Sequence, residues 1–147
     1  MMHVTQNVDD MEFAAGAEEV TQAHGSFLRG AVCADCRKRY SSGVVIAALL
    51  DGAIPCCETC GGVIKPTVVF FGESTWLNFD EIQWKVGSTD VMLVMGTSLN
   101  VGPVNRIPQI MSKHCKKVLV NATDVSDAYH FDYKCLQSAD WFCKQVI

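Results

Sequence analysis

Two C-x-x-C pairs, Cys33-Ala-Asp-Cys36 and Cys57-Glu-Thr-Cys60, carry the clearest chemistry in this sequence of 147 residues. Each pair lets two sulfurs converge on one ion, and two pairs complete a tetrahedron of soft thiolate ligands suited to zinc. Redox C-x-x-C pairs occur singly, and disulfide frameworks belong to small secreted chains, so the doubled spacing points to a metal. Cys56 adjoins Cys57 and could compete as a ligand, but only Cys57 keeps the pair spacing. Cys115, Cys135 and Cys143 read as small buried hydrophobes. Four filled ligand positions leave none for water or substrate, so the zinc is expected to be structural and any catalysis must come from elsewhere.

A second group of residues could do chemistry at the ends of apolar runs. Val91 to Met95 ends in Gly96-Thr97-Ser98, Val118 to Val120 in Asn121-Ala122-Thr123-Asp124, and Val68 to Phe71 in Gly72-Glu73; the opening His3-Val4-Thr5 ends in Gln6-Asn7-Val8-Asp9. In open parallel sheets ligands bind beyond the carboxyl ends of strands, where small hydrogen-bonding residues collect. Any one cluster is better explained as turn formers ending a strand; four together favour a crevice for a polar ligand. His24-Gly25 admits two readings. A histidine and a left-handed glycine can close a helix, or the imidazole can act as a general base, and composition does not decide between them. His3, His114 and His130 read as surface residues.

The elements that must position these groups follow from the pattern of apolar residues. Short, nearly continuous apolar runs predict strands at Thr67 to Phe71, Val91 to Met95 and Lys117 to Val120, of the kind covered by helices on both faces. Amphipathic stretches predict helices at Met11 to Ala23, Phe79 to Val86 and Val104 to His114, the first capped by Asp9 or Asp10. The expected fold class is α/β: a partial Rossmann-like parallel sheet with helices, plus an inserted four-cysteine zinc-ribbon module at residues 33–64. Residues 1–32 and 65–147 would form the Rossmann-like part.

Composition narrows the function classes. A hydrophobic fraction of 49% and a charged fraction of 19% are those of an ordinary globular chain. A net charge of -4 makes it a poor partner for phosphate backbones, and Arg37-Lys38-Arg39 is too short a basic run to change that. No apolar run approaches the roughly 18 residues of a membrane span. The opening Met1 to Asn7 lacks the basic and apolar regions of a secretory signal, which predicts a cytosolic or nuclear chain.

Five ordered motifs now line up: Thr5-Gln6-Asn7-Val8-Asp9, His24-Gly25-Ser26-Phe27, the four cysteines, Lys65-Pro66-Thr-Val-Val-Phe-Phe-Gly72-Glu73, and Gly96-Thr97-Ser98-Leu99-Asn-Val101-Gly-Pro103. In this order they resemble the sirtuins, the NAD-dependent protein lysine deacylases. The similarity runs nearly the whole chain, into His130-Phe131-Asp132 and Leu136, and is greater to the deacetylase branch than to the desuccinylases.

The resemblance implies a fold, cofactors and roles. NAD and Zn²⁺ are the implied cofactors, and an acetylated protein or peptide is the implied substrate. His24 falls on the catalytic histidine, the base acting on the NAD ribose. Gln6, Asn7, Val8 and Asp9 fall on the segment that holds nicotinamide and its ribose. Gly96, Thr97, Ser98, Asn121, Ala122, Thr123 and Ala139 fall on the rest of the NAD contacts. Val69, Phe71, Gly72 and Glu73 fall on the acetyl-lysine tunnel and the strand that pairs with the substrate peptide. The implied reaction transfers the acetyl group from lysine to ADP-ribose and releases nicotinamide.

Departures from the pattern qualify this. No Gly-Ala-Gly-x-Ser loop and no Pro-Asp-Phe-Arg segment occurs in these 147 residues, so a backbone cradle for the pyrophosphate is lacking. Thr123 stands where the family usually has Glu, and Gln137-Ser138-Ala139-Asp140 where Gly-Asp-Cys-Asp is frequent. The expectation is therefore the C-terminal portion of a sirtuin catalytic domain with little activity by itself; the alternative is a non-enzymatic zinc-containing interaction remnant. A stand-alone zinc ribbon with an unrelated partner is the weakest of the readings. Exposed sheet edges would favour oligomers or a missing N-terminal segment as partner, with no nucleic acid and no membrane involved. The deacetylase branch suggests the nucleus, with the cytoplasm open.

Overall fold

The computed structural model describes residues 1–75 and 77–146, which fall into two compact units, Met1–Leu77 and Asn78–Ile147. In the first unit, strand β1 (His3–Thr5) pairs in parallel with β2 (Val20–Gln22), His3 opposite Val20 and Thr5 opposite Gln22. Between them lies a single turn of helix, α1 (Met11–Ala14). This corrects the expected helix from Met11 to Ala23. Gly16 sits at φ +87, a left-handed conformation that ends the helix, while Ala15 and Ala17 donate back to the carbonyls of Met11 and Glu12. Beyond it the β-branched Val20-Thr21 prefers the extended backbone and finds β1 as a partner. Asp9 accepts from the Met11 N–H at 3.2 Å, as a cap would, whereas the Asp10 side chain turns elsewhere.

The long strand β3 (Gly25–Cys33) is the backbone of this unit. It pairs antiparallel with β4 (Arg39–Tyr40) on one side and β5 (Ile64–Val68) on the other. The β3–β5 register slips between Ser26 and Ala31, where Gly30 stands at φ +139, so β3 bends around a bulge. Pro66 is tolerated because β5 is an edge strand. The expected strand from Thr67 to Phe71 thus lies three residues earlier at its start and stops at Val68. The cause is a turn: Glu73 N–H donates to the Phe70 carbonyl at 3.0 Å, with Gly72 at φ +89.

Helix α2 (Ser42–Leu50) follows β4, opened by Ser41, whose hydroxyl accepts from Gly43 N–H. It buries only Val45, and Leu50 is 83% exposed. The core of this region is small: Ala31, Cys33, Val45, Cys57 and Ile64, with Phe27 and Tyr40 packed against it. Two of its five buried members are the first cysteines of the two pairs, so the core and the metal site are one structure.

The second unit opens with α3 (Phe79–Val86), as expected, followed by a parallel sheet of β6 (Val91–Met95), β7 (Lys116–Val120) and β8 (Tyr133–Cys135) in that order. The expected helix from Val104 to His114 is shorter. A 3₁₀ turn at Val104–Arg106 leads into α4 (Ile107–Ile110), with Pro108 in its first turn, and Met111 is already extended. The C-terminal helix α5 (Ala139–Val146) closes the unit. Leu119 and Val120 are wholly buried, and Leu119 packs in a core with Val94, Leu99 and Phe131. Val91 and Leu93 of β6 stay 59% and 47% exposed, so one face of this strand is uncovered where a parallel sheet ordinarily has both faces covered. Among the described residues, no helix is long and apolar enough to cross a membrane.

Candidate functional site

The four expected metal ligands come together. Cys33 ends β3 and Cys57 is anchored by its N–H donating to the Gly62 carbonyl at 2.7 Å. Cys36 and Cys60 follow in tight knuckles closed by Arg37 N–H to Cys33 O and Gly61 N–H to Cys57 O. Arg37 and Gly61 hold the same place in the two knuckles, and both are left-handed, at φ 64 and 75. The four Sγ atoms lie within 4.8 Å of one another, with Cys33 to Cys60 at 3.4 Å and Cys36 to Cys57 at 3.6 Å. A tetrahedral zinc with bonds of about 2.3 Å needs sulfurs roughly 3.8 Å apart. The set fits that ion, and none of the cysteines forms a disulfide.

Electrostatics support the fit. A hydrogen bond from Tyr40, reinforced by backbone amides, lowers the Cys57 thiol to about 5. Backbone amides of Cys36 and Asp35 lower Cys33. The Gly62 amide acts to lower Cys60, yet the thiols of Cys33 and Cys36 beside it push it up to about 12. Without a cation the cluster resists holding four negative sulfurs; a divalent ion removes that conflict.

His24 lies at the junction of β2 and β3, and not at a helix end, so the helix-cap reading falls; Gly25, at φ +74, turns the chain between the two strands. The half-buried imidazole places Nδ1 3.2 Å from the Gln6 carbonyl oxygen. A carbonyl can only accept, so this bond puts a proton on Nδ1, and in the neutral ring Nε2 is then the acceptor. The Gln6 to Asp9 segment runs beside His24: Phe27 N–H donates to Val8 O at 2.9 Å, and Asn7 N–H to the Thr5 hydroxyl at 3.1 Å. On the other side Val69 N–H donates to His24 O at 2.9 Å. Gln6, Asn7, Val8, Asp9, His24 and Val69 are thus brought together within the first unit.

Phe71 is fully exposed. The Glu73 carboxylate accepts from Lys65 Nζ at 2.7 Å and from Phe70 N–H at 2.9 Å, and Lys65 foremost holds it below the usual range. Glu73 therefore ties the turn that presents Phe71 and Gly72.

In the second unit the remaining candidates gather beyond the carboxyl ends of the parallel strands. Gly96 follows β6 at φ +59, with nothing within 4 Å of where a Cβ would stand. Thr97 accepts from Leu99 N–H at 3.1 Å, and Ser98 is exposed. Buried Asn121 follows β7 and donates to Thr123 O at 2.9 Å; Ala122 and Thr123 are exposed, and Ala139 opens α5. An open glycine flanked by small polar groups fits close approach of a polar ligand such as a nucleotide.

Sequence reasoning missed Asp10 as more than a cap. Its carboxylate accepts from Gln22 Nε2 at 2.7 Å and from the Ser26 hydroxyl, and pairs with Arg29 Nε at 3.2 Å. Arg29 in turn stacks on Phe13 at 3.7 Å. Burial opposes ionisation, but Ser26, Gln22 and Arg29 together hold the carboxyl below its ordinary value of 3.8. These bonds clamp Gln22, two residues before His24, and Ser26, directly after Gly25. Asp10→Ala is expected to cost about 2–3 kcal/mol near neutrality, since it strands the partners of a mostly buried charge. A depressed carboxyl stabilises fully above 3.8 and loses its effect as pH falls through its folded value. The wild-type-minus-variant difference in denaturant unfolding should therefore be largest at about pH 7 and shrink towards about pH 3.

Comparison with known proteins places this geometry. The sequence matches the Sir2 family over residues 1–103. NAD-dependent deacetylase sir2D of Dictyostelium discoideum is 33% identical over 153 residues, covering 100% of this chain and 28% of that protein. NAD-dependent protein deacetylase 1 of Pyrobaculum aerophilum is 39% identical over 132 residues, covering 88% of this chain and 51% of that one. A solved structure described as Sir2–p53 peptide–NAD+ superposes with a TM-score of 0.86 at 29% identity, over 99% of this chain and 61% of that chain. The chain belongs to the Sir2 family, and it spans about a quarter to a half of the length of these two curated relatives.

Proposed function

We propose that these residues form the zinc module, the catalytic histidine and part of the NAD site of an NAD-dependent protein lysine deacetylase. The observation that carries this is the His24–Gln6 hydrogen bond, which holds the ring by Nδ1 beside the Gln6 to Asp9 segment and, in the neutral imidazole, makes Nε2 the proton acceptor. When bound, NAD supplies the acceptor carbon of its nicotinamide ribose and the nicotinamide leaving group. His24 Nε2 would take the proton of a ribose hydroxyl, with the Gln6 carbonyl fixing the ring. Gln6, Asn7, Val8 and Asp9 would orient nicotinamide and its ribose. Gly96, Thr97, Ser98, Asn121, Ala122, Thr123 and Ala139 would hold the remainder of the cofactor. Val69, Phe71 and Gly72 would meet the acetyl-lysine, with Glu73 bracing the turn.

Zinc plays no chemical part in this scheme: four thiolates close its coordination sphere. The lack of a Gly-Ala-Gly-x-Ser sequence among the 147 residues supports weak activity of this stretch by itself.

The test compares the zinc-loaded chain with a chimera that adds the part of the Pyrobaculum deacetylase outside the match. NAD and an acetylated peptide are supplied, and O-acetyl-ADP-ribose is measured. Turnover by the chimera with little from the chain alone is the expected result. Full turnover by the chain alone would overturn the incomplete-site reading. A folded, NAD-binding chimera without turnover would favour a non-enzymatic interaction module.

A further inference from the structure

We propose that Tyr40 is a positioning residue of the zinc centre, its hydroxyl donating a hydrogen bond to the Cys57 thiolate and holding the ion in place. The proposal rests on zinc occupying the four-cysteine site. The Tyr40 Oη lies 3.0 Å from Cys57 Sγ. A zinc ion with four thiolates leaves a net charge of about -2 on the centre, spread over sulfurs that accept hydrogen bonds. Such donors reduce charge on the sulfur and fix the direction of its lone pairs, and partners of this kind commonly govern metal retention.

The surrounding structure leaves the phenol little freedom to do otherwise. Tyr40 belongs to β4, opposite Ala31 of β3, and its ring packs against the small core that includes Cys33 and Cys57. The ring is therefore held by packing, and its polar tip emerges at the sulfur.

Lys38, two residues earlier and so on the same side of the extended chain, reaches the same knuckle by a different route. Its Nζ lies 2.5 Å from Glu58 Oε1 and 3.1 Å from Thr59 Oγ1, the two residues between Cys57 and Cys60. Both partners of this ion pair are substantially exposed. Lys38 thus braces the loop between the ligands, whereas Tyr40 acts on a ligand atom.

The two contacts make different predictions. Tyr40→Phe keeps the ring and its packing and removes only the donor. The zinc-loaded variant should lose its metal to a competing chelator about tenfold more readily than wild type, within the range usual for such partners. Lys38→Met breaks an exposed ion pair and should change retention by less than about twofold.

Circular dichroism of each zinc-loaded variant verifies the fold. Cobalt substituted for zinc gives the readout that a packing role would not move. Loss of the O–H···S bond leaves a more electron-rich sulfur, so the thiolate-to-cobalt charge-transfer band should shift to lower energy in Tyr40→Phe and stay in place in Lys38→Met. Wild-type retention with an unmoved band in Tyr40→Phe would overturn the assignment. Equal losses in both variants would overturn it as well, by placing the effect in the loop and not at the sulfur. A wild-type chain that takes up no zinc would be seen before any variant is compared, and would overturn the zinc reading together with this one.

Discussion

Removal of zinc is expected to unfold the region between Cys33 and Ile64 and to loosen β3 and β5 with it. The apolar groups available to hold this region without metal are few. Its buried members are Ala31, Val45 and Ile64 besides the two cysteines, and a core of that size does not offset the entropy of ordering some thirty residues. Helix α2 contributes little, because Val45 is its only buried residue. The ligands also sit at both ends of the structure they stabilise: Cys33 pairs with Ile64 at the last rung of the β3–β5 ladder.

Binding energy of a structural zinc is in such cases folding energy, of the order of 10 kcal/mol at neutral pH. Chelation should therefore abolish amide-exchange protection in β3, β4 and α2. Cys57→Ser should reproduce the effect, because Cys57 is both ligand and core residue. Protection in β6 and β7, whose core of Val94, Leu99, Leu119 and Phe131 contains no ligand, should persist. Unchanged protection around Cys33 after full metal removal would refute the structural role.

The difference between what was legible in the sequence and what was not follows from the range of the interactions. The metal site was legible because a C-x-x-C knuckle is local and its chemistry needs only spacing. Strand β6 was legible for a similar reason, as five consecutive apolar residues followed by Gly96 leave few alternatives. The helix α1 was overextended because apolar residues continue at helical spacing past Gly16, whose left-handed backbone stops it. Strand β3 was missed because Arg29-Gly30 interrupts any alternation, and its pairing depends on β5, more than thirty residues away. The Asp10 clamp depends on the parallel pairing of β1 and β2, which brings in Gln22, and on the Phe27 to Val8 bond, which brings Ser26 and Arg29 of β3 to the same carboxylate. Nothing in a dipeptide Asp9-Asp10 distinguishes that from a helix cap. His24 shows the same limit: its sequence neighbours suit a helix end, and only the fold puts it beside Gln6.

His24→Ala, made in the chimera described above, should lower deacetylation on the order of 10²–10⁴-fold, the usual contribution of a general base. Zinc content and folding should be unchanged, because the imidazole's hydrogen bond is to the Gln6 carbonyl and it belongs to neither apolar core. Affinity for NAD should fall much less than turnover, since the group acts on a proton and not on the bulk of the cofactor. His24→Asn sharpens the test. Its amide can still donate toward the Gln6 carbonyl, so it preserves the local contact while removing the basic nitrogen. If orientation of the segment were the whole role of His24, the asparagine variant would recover most of the lost rate. If Nε2 is the proton acceptor, both variants should be equally slow. Recovery in His24→Asn to within a few-fold of wild type would assign the base elsewhere and leave His24 a structural partner of Gln6.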